Sequence, residues 1–96
     1  MKRWNAALTW TIEFDSDVEK DLKKLGHTAQ KKIIKYLKEK IIPSEDPRIF
    51  GKPLSGNLSG LWRYRVGDYR IITKIEDDKF VILVIHVGHR RNVYNT

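Results

Sequence analysis

The chain has no cysteine, which excludes disulfides and thiolate chemistry and disfavours a zinc site. No apolar run approaches the roughly 20 residues that span a bilayer. The basic opening from Met1 to Leu8 lacks the apolar centre of a secretory signal. No spacing of His, Asp and Glu resembles a metal site, and no repeat or low-complexity tract is visible. Acidic residues thin out late in the chain: of 12, only Asp68, Glu76, Asp77 and Asp78 follow Gly60. Lysine thins out there too, with only Lys74 and Lys79 of the twelve beyond that glycine. These absences point to a cytoplasmic protein without membrane contact, metal or cofactor. Its 96 residues suit one domain, residues 1–96, with 1–7 read as a flexible extension.

What the last third does contain is arginine. Five of the seven, Arg63, Arg65, Arg70, Arg90 and Arg91, lie after Gly60. Lysine is a hydrated point charge suited to exposed helix faces, whereas the planar arginine fork matches phosphate oxygens and stays protonated. The net charge of +7 and a pI of about 9.8 favour a polyanion or an acidic protein as partner. RNA is the leading candidate.

Leu8, Trp10, Ile12 and Phe14 alternate with polar residues, the pattern of a strand with one buried face. Asp15 or Ser16 then caps a helix carrying Val18, Leu22 and Leu25, which Gly26 ends. Thr28 can cap a second helix, with Ile33, Ile34, Leu37 and Ile41 as its apolar stripe, lysines opposite, and Pro43 as its stop. Pro43 to Gly60 reads as a long loop with a short turn, and long loops are often functional. Leu61–Val66, a Gly67-Asp68 turn, Tyr69–Glu76, an Asp77-Asp78 turn and Phe80–Val87 read as a three-stranded meander. The last strand is apolar on both faces apart from His86, so it belongs in the middle of a sheet. The fold class is α+β: an N-terminal strand and a helical hairpin packed on a mainly antiparallel four-stranded sheet.

Trp62-Arg63-Tyr64-Arg65 puts both arginines on one strand face and both aromatics on the other. Arg70, across the turn, and Arg90 and Arg91, beyond the central strand, can join them in one concave basic patch. Such clustering is unfavourable unless an anion neutralises it. The competing reading pairs Arg63 and Arg65 with Asp68, Glu76 or Asp77. Tyr94 can stack on a base, and His89 can act as acid or base. Lys31, Lys32, Lys35, Lys52 and Lys74 are candidate contacts to RNA or a ribosome.

The run from Gly51 to Ile71, with its Leu-Trp-Arg-Tyr-Arg-Val-Gly-Asp-Tyr-Arg core, resembles the middle of RelE-type toxins of the RelE/ParE superfamily. The ending Val87-Gly88-His89-Arg90-Arg91-Asn92-Val93-Tyr94 is similar to that family's C-terminal signature. The resemblance implies a type II toxin held inactive by an acidic, RelB-like antitoxin, in complexes that include heterotetramers. It implies entry into the A site of a 70S-type ribosome and metal-free cleavage of mRNA, the 2′-OH attacking the adjacent phosphate. Arg63, Arg65, Arg70, one of Arg90 and Arg91, and Tyr94 match the family's site positions. Well-studied relatives carry lysine at the positions of Arg63 and Arg65. Since arginine does not readily accept a proton, the base is sought in His89 or Tyr94, and His89 is favoured because a free phenol titrates near pH 10. The alternatives are a ParE-like poison of DNA gyrase, or an inactive antitoxin-binding module.

Overall fold

In the computed structural model, which describes residues 10–89, the first alternating segment becomes β1 (Thr11–Phe14). Leu8 and the extension expected at 1–7 lie outside the described residues. Trp10 is buried, and its N–H donates to the Ile42 carbonyl at 2.9 Å. Phe14 departs from the expected buried face at 37 % exposure. It is the last residue of an edge strand, where the chain already turns away into the helix.

That helix, α1 (Ser16–Leu25), carries Asp17 and Glu19 in its first turn and Lys23 and Lys24 in its last, the arrangement the helix dipole favours. Val18 is buried and Leu22 and Leu25 pack on the core. Gly26, at φ +92°, ends α1 and immediately starts α2 (His27–Tyr36), so Thr28 falls inside the first turn and caps nothing. The Gln30 amide donates to the Leu22 carbonyl at 2.9 Å and ties the hairpin together. A π-helical turn, Leu37–Ile41, extends α2, and Ile33, Leu37 and Ile41 are all buried.

The long loop holds more structure than its composition suggests: 3₁₀ turns at Pro47–Phe50 and Gly56–Leu58, and between them a strand, β2 (Lys52–Pro53). The sheet therefore has five strands rather than four, in the order β1-β5-β4-β3-β2. The added strand stays short because Pro53 has no N–H to extend a ladder. β3 (Trp62–Val66) and β4 (Tyr69–Glu76) meet across Gly67-Asp68, with Gly67 at φ +59°. Glycine at the first central position is what a II′ hairpin turn requires. Asp77–Lys79 form a 3₁₀ turn, and Phe80 follows in the left-handed region at φ +54°, its ring 5.1 Å from that of Trp10. β5 (Val81–His89) then runs between β4 and β1, parallel only to β1.

The core lies between the hairpin and one face of the sheet. Val18, Ile33, Leu37 and Ile41 meet Tyr64, Ile71, Ile82, Val84 and Val87 there. No helix among the described residues is long and apolar enough to cross a membrane. The other face of the sheet carries the charge.

Candidate nucleic-acid interface

Strand pairing decides which cations share that face. Arg65 stands opposite Arg70, Arg63 opposite Ile72, and Lys52 opposite Arg63. Tyr64, between the two arginines of β3, is fully buried on the helical side, so Arg63, Arg65, Arg70 and Lys52 occupy the opposite side. Cross-strand neighbours have Cβ atoms roughly 5 Å apart, which sets Arg65 and Arg70 side by side on this face. Arg65 is exposed and makes no ion pair among the described residues. Arg70 is only 7 % exposed, and its Nη1 donates to the carbonyls of Gly67 at 3.1 Å and Tyr69 at 3.0 Å. One guanidinium thus braces the turn while its neighbour faces outward. Gly88, opposite Arg70 on β5, adds no side chain to this face. Lys74 lies on it too, exposed, two positions beyond Ile72.

Two of the acids that were candidate partners are engaged elsewhere. Arg48 grips both carboxylate oxygens of Asp77, at 2.9 and 2.5 Å, and its guanidinium lies 5.7 Å from the Trp62 ring centre. Glu76 faces Lys79 at 3.9 Å. Asp46 caps the 3₁₀ turn by accepting from the Arg48 N–H at 3.1 Å, and buried Pro47 accepts from the Tyr64 hydroxyl at 2.9 Å. Arg48 was not among the candidates from sequence. The Asp46-Pro47 pair, a capping acid before a proline at the first turn position, was the signal for it.

The bidentate hydrogen bonds from Arg48 hold the Asp77 carboxyl below its ordinary value of 3.8. A depressed folded-state value contributes stability above the unfolded pKa and loses it as pH falls through the folded one. The pair is partly exposed, so Asp77→Asn is expected to cost under ~1 kcal/mol near neutrality. That difference should shrink as pH falls below 3.8 and vanish only below the depressed folded-state value, and urea unfolding across that acid range checks it.

Not every candidate joins the basic face. His89 pairs with Tyr69, and its ring meets the Tyr69 ring edge-on at 6.1 Å. It therefore sits in the row of Tyr69 and Val66, on the helical side, in a pocket of about 210 Å³ that Asp21, Lys24 and His86 also line. His86 Nδ1 lies 3.2 Å from Asp21 Oδ2, linking β5 to α1. Lys31, Lys32 and Lys35 are exposed on α2, in the layer across the sheet from the arginines. Lys31 and Lys35 border a groove of about 430 Å³ with His27, Ile34 and Lys38. Arg90, Arg91 and Tyr94 lie outside the described residues.

This arrangement has known counterparts. Residues 12–94 match the family model of the ParE toxin of the type II toxin-antitoxin system parDE. Toxin RelG of Mycobacterium tuberculosis is 28 % identical over 87 residues, which cover 91 % of this chain and 98 % of that one. The mRNA interferase toxin RelE of Escherichia coli K12 is 31 % identical over 85 residues, 86 % of this chain and 85 % of that one. Among solved structures, the toxin–antitoxin complex RelBE2 of Mycobacterium tuberculosis matches with a TM-score of 0.77 at 28 % identity. That match covers 85 % of this chain and 99 % of the other.

Proposed function

Because the chain belongs to the RelE/ParE superfamily and is a RelE-like toxin of a type II toxin–antitoxin system, we propose that it is a ribosome-dependent mRNA endonuclease. The observation that carries this reading is the basic face of Lys52, Arg63, Arg65 and Arg70, gathered by strand register on the side of the sheet away from the helices. The name mRNA interferase on the Escherichia coli relative supports it. Cleavage proceeds by attack of the ribose 2′-OH on the adjacent phosphorus. The P–O5′ bond breaks, leaving a 2′,3′-cyclic phosphate and a 5′-OH. Negative charge builds on the non-bridging oxygens, and the outward-facing Arg65 guanidinium stabilises charge of that kind in the transition state.

Arginine stays protonated throughout, so His89 or Tyr94 accepts the 2′-OH proton, and the leaving O5′ takes a proton from water. His89 is the last residue of β5, one beyond Gly88. To serve as the base, its imidazole must reach around the strand end to the arginine face. An acidic RelB-like antitoxin holds the toxin inactive, in keeping with the toxin–antitoxin complex among its structural neighbours. The lysines of α2 contact ribosomal RNA in the cytoplasm, supplying salt-sensitive affinity rather than chemistry.

The family model carries the ParE name, which favours a second reading, a gyrase poison that cuts no nucleic acid. End-group analysis tests the proposal. RNA recovered after toxin treatment of translating extract is expected to bear new 5′-OH ends, labelled by polynucleotide kinase without prior phosphatase. New 5′-phosphate ends would rule out this chemistry. Intact RNA with trapped gyrase–DNA complexes would assign the protein to the gyrase-poison class.

A further inference from the structure

All four cations of β3 and β4, Arg63, Arg65, Arg70 and Lys74, fall on the face of the sheet away from the helices. The three arginines belong to the site already described, and Lys74 stands further along β4. Its direction is fixed by its neighbours. Ile71 and Ile75 both pack on the core beneath the helices, and the pairing of β4 with β3 runs unbroken from Tyr69 to Thr73. Lys74 therefore projects to the other side. It is exposed and makes no ion pair among the described residues.

Register sorts these cations into rows across the sheet. Arg65 and Arg70, which are partners, make the first row. Arg63 makes the second, between Lys52 on β2 and Ile72 on β4. Lys74, two residues past Ile72, makes the third, beside Leu83 of β5. Positions two apart on a strand are separated by about 7 Å, close to the separation of successive phosphates in an extended nucleic-acid strand. The next row holds an acid, Glu76, whose carboxylate lies 3.9 Å from Lys79. A further phosphate would meet that carboxylate, so the run of cations has a defined end.

We propose that Lys74 binds the RNA phosphate two nucleotides from the cleaved one, in a track that runs along β3 and β4 and ends at Glu76. This rests on the endonuclease reading, in which Arg65 meets the reacting phosphate, and adds to it the line along which the message crosses the sheet. The phosphate between them falls to Arg63 and Lys52. Lys74 is a positioning residue: it carries no step of the reaction, and it helps to fix which linkage reaches Arg65.

The test is a cycle between one protein charge and one phosphate charge. Wild type, Lys74→Ala and Lys74→Arg are compared in single-turnover cleavage on programmed ribosomes across a range of toxin concentrations. The messages carry a phosphate or a neutral methylphosphonate at the second linkage 5′ or 3′ of the cut. The adjacent 2′-OH is removed in test and control alike. For wild type, neutralising that linkage on one side of the cut should raise the half-saturating concentration about fivefold, the scale of an exposed ion pair. Lys74→Ala should do the same on the unmodified message. The two changes together should cost no more than either alone, and Lys74→Arg should behave as wild type. The saturated rate should hold throughout. If wild type cleaves but the two losses multiply, Lys74 meets another charge, such as ribosomal RNA, and the track fails while the endonuclease reading stands. Indifference to both linkages, or to Lys74→Ala, overturns the track in the same way. No cleavage by wild type would overturn both readings.

Discussion

Arg65→Ala is expected to lower mRNA cleavage by roughly 100-fold at saturating ribosome, the usual loss when one donor to a developing oxyanion is removed. The expectation is clean because no contact that holds the fold depends on the Arg65 guanidinium. It is exposed on β3 and makes no ion pair among the described residues. It also stands opposite Arg70, a like-charge pairing that is unfavourable without an anion. Its removal should leave the melting temperature unchanged or slightly raised. Arg65→Lys keeps the charge and should retain most of the activity. Arg70→Ala should also lose cleavage, but it removes a buried guanidinium bonded to two turn carbonyls and so destabilises the hairpin as well. Full toxicity of Arg65→Ala on induced expression would remove this side chain from the reaction.

Tyr64→Ala is expected to cost about 3–5 kcal/mol, a large share of the roughly 5–15 kcal/mol that holds a small domain together. Tyr64 is fully buried, and its hydroxyl ties the sheet to the loop through the Pro47 carbonyl at 2.9 Å. Burial pushes its phenol well above the ordinary range, so it remains a hydrogen-bond donor at any pH at which the protein works. Tyr64→Phe isolates that bond: a buried carbonyl left without its partner costs about 1–3 kcal/mol. Urea unfolding gives the stabilities, and a Tyr64→Ala midpoint close to wild type would contradict the packing described here.

The sequence carried the helical hairpin well, since Val18, Leu22 and Leu25 and then Ile33, Leu37 and Ile41 recur at helical spacing and Gly26 separates them. The basic face was legible for a similar reason. Alternation along Trp62–Arg65 and a two-residue turn fix the pairing of Arg65 with Arg70 once the hairpin is recognised. β2 was not legible, because a strand of two residues ending in proline has no periodicity to detect. Nor was the left-handed Phe80, whose conformation is set by the turn before it and by contact with Trp10.

The position of His89 shows where reading by alternation ends. Leu83 stands opposite Lys74, so odd-numbered residues of β5 begin on the arginine side. Continued alternation would have put His89 there as well. The pairing shifts between Ile72 and Thr73, where Ile85 is passed over. One extra residue in a strand exchanges the two faces beyond it. Gly88 takes the place opposite Arg70, and His89 turns to Tyr69. Nothing in Phe80–Val87, apolar on both faces apart from His86, announces that bulge.

Ribosome dependence is tested by primer extension on a defined mRNA bound to purified ribosomes with an occupied P site and an empty A site, with free mRNA in parallel. Reverse-transcription stops are expected only at the A-site codon of the ribosome-bound message, with none on free mRNA. Intact message on the ribosome, or equal cutting of free and bound mRNA, would contradict a ribosome-dependent endonuclease.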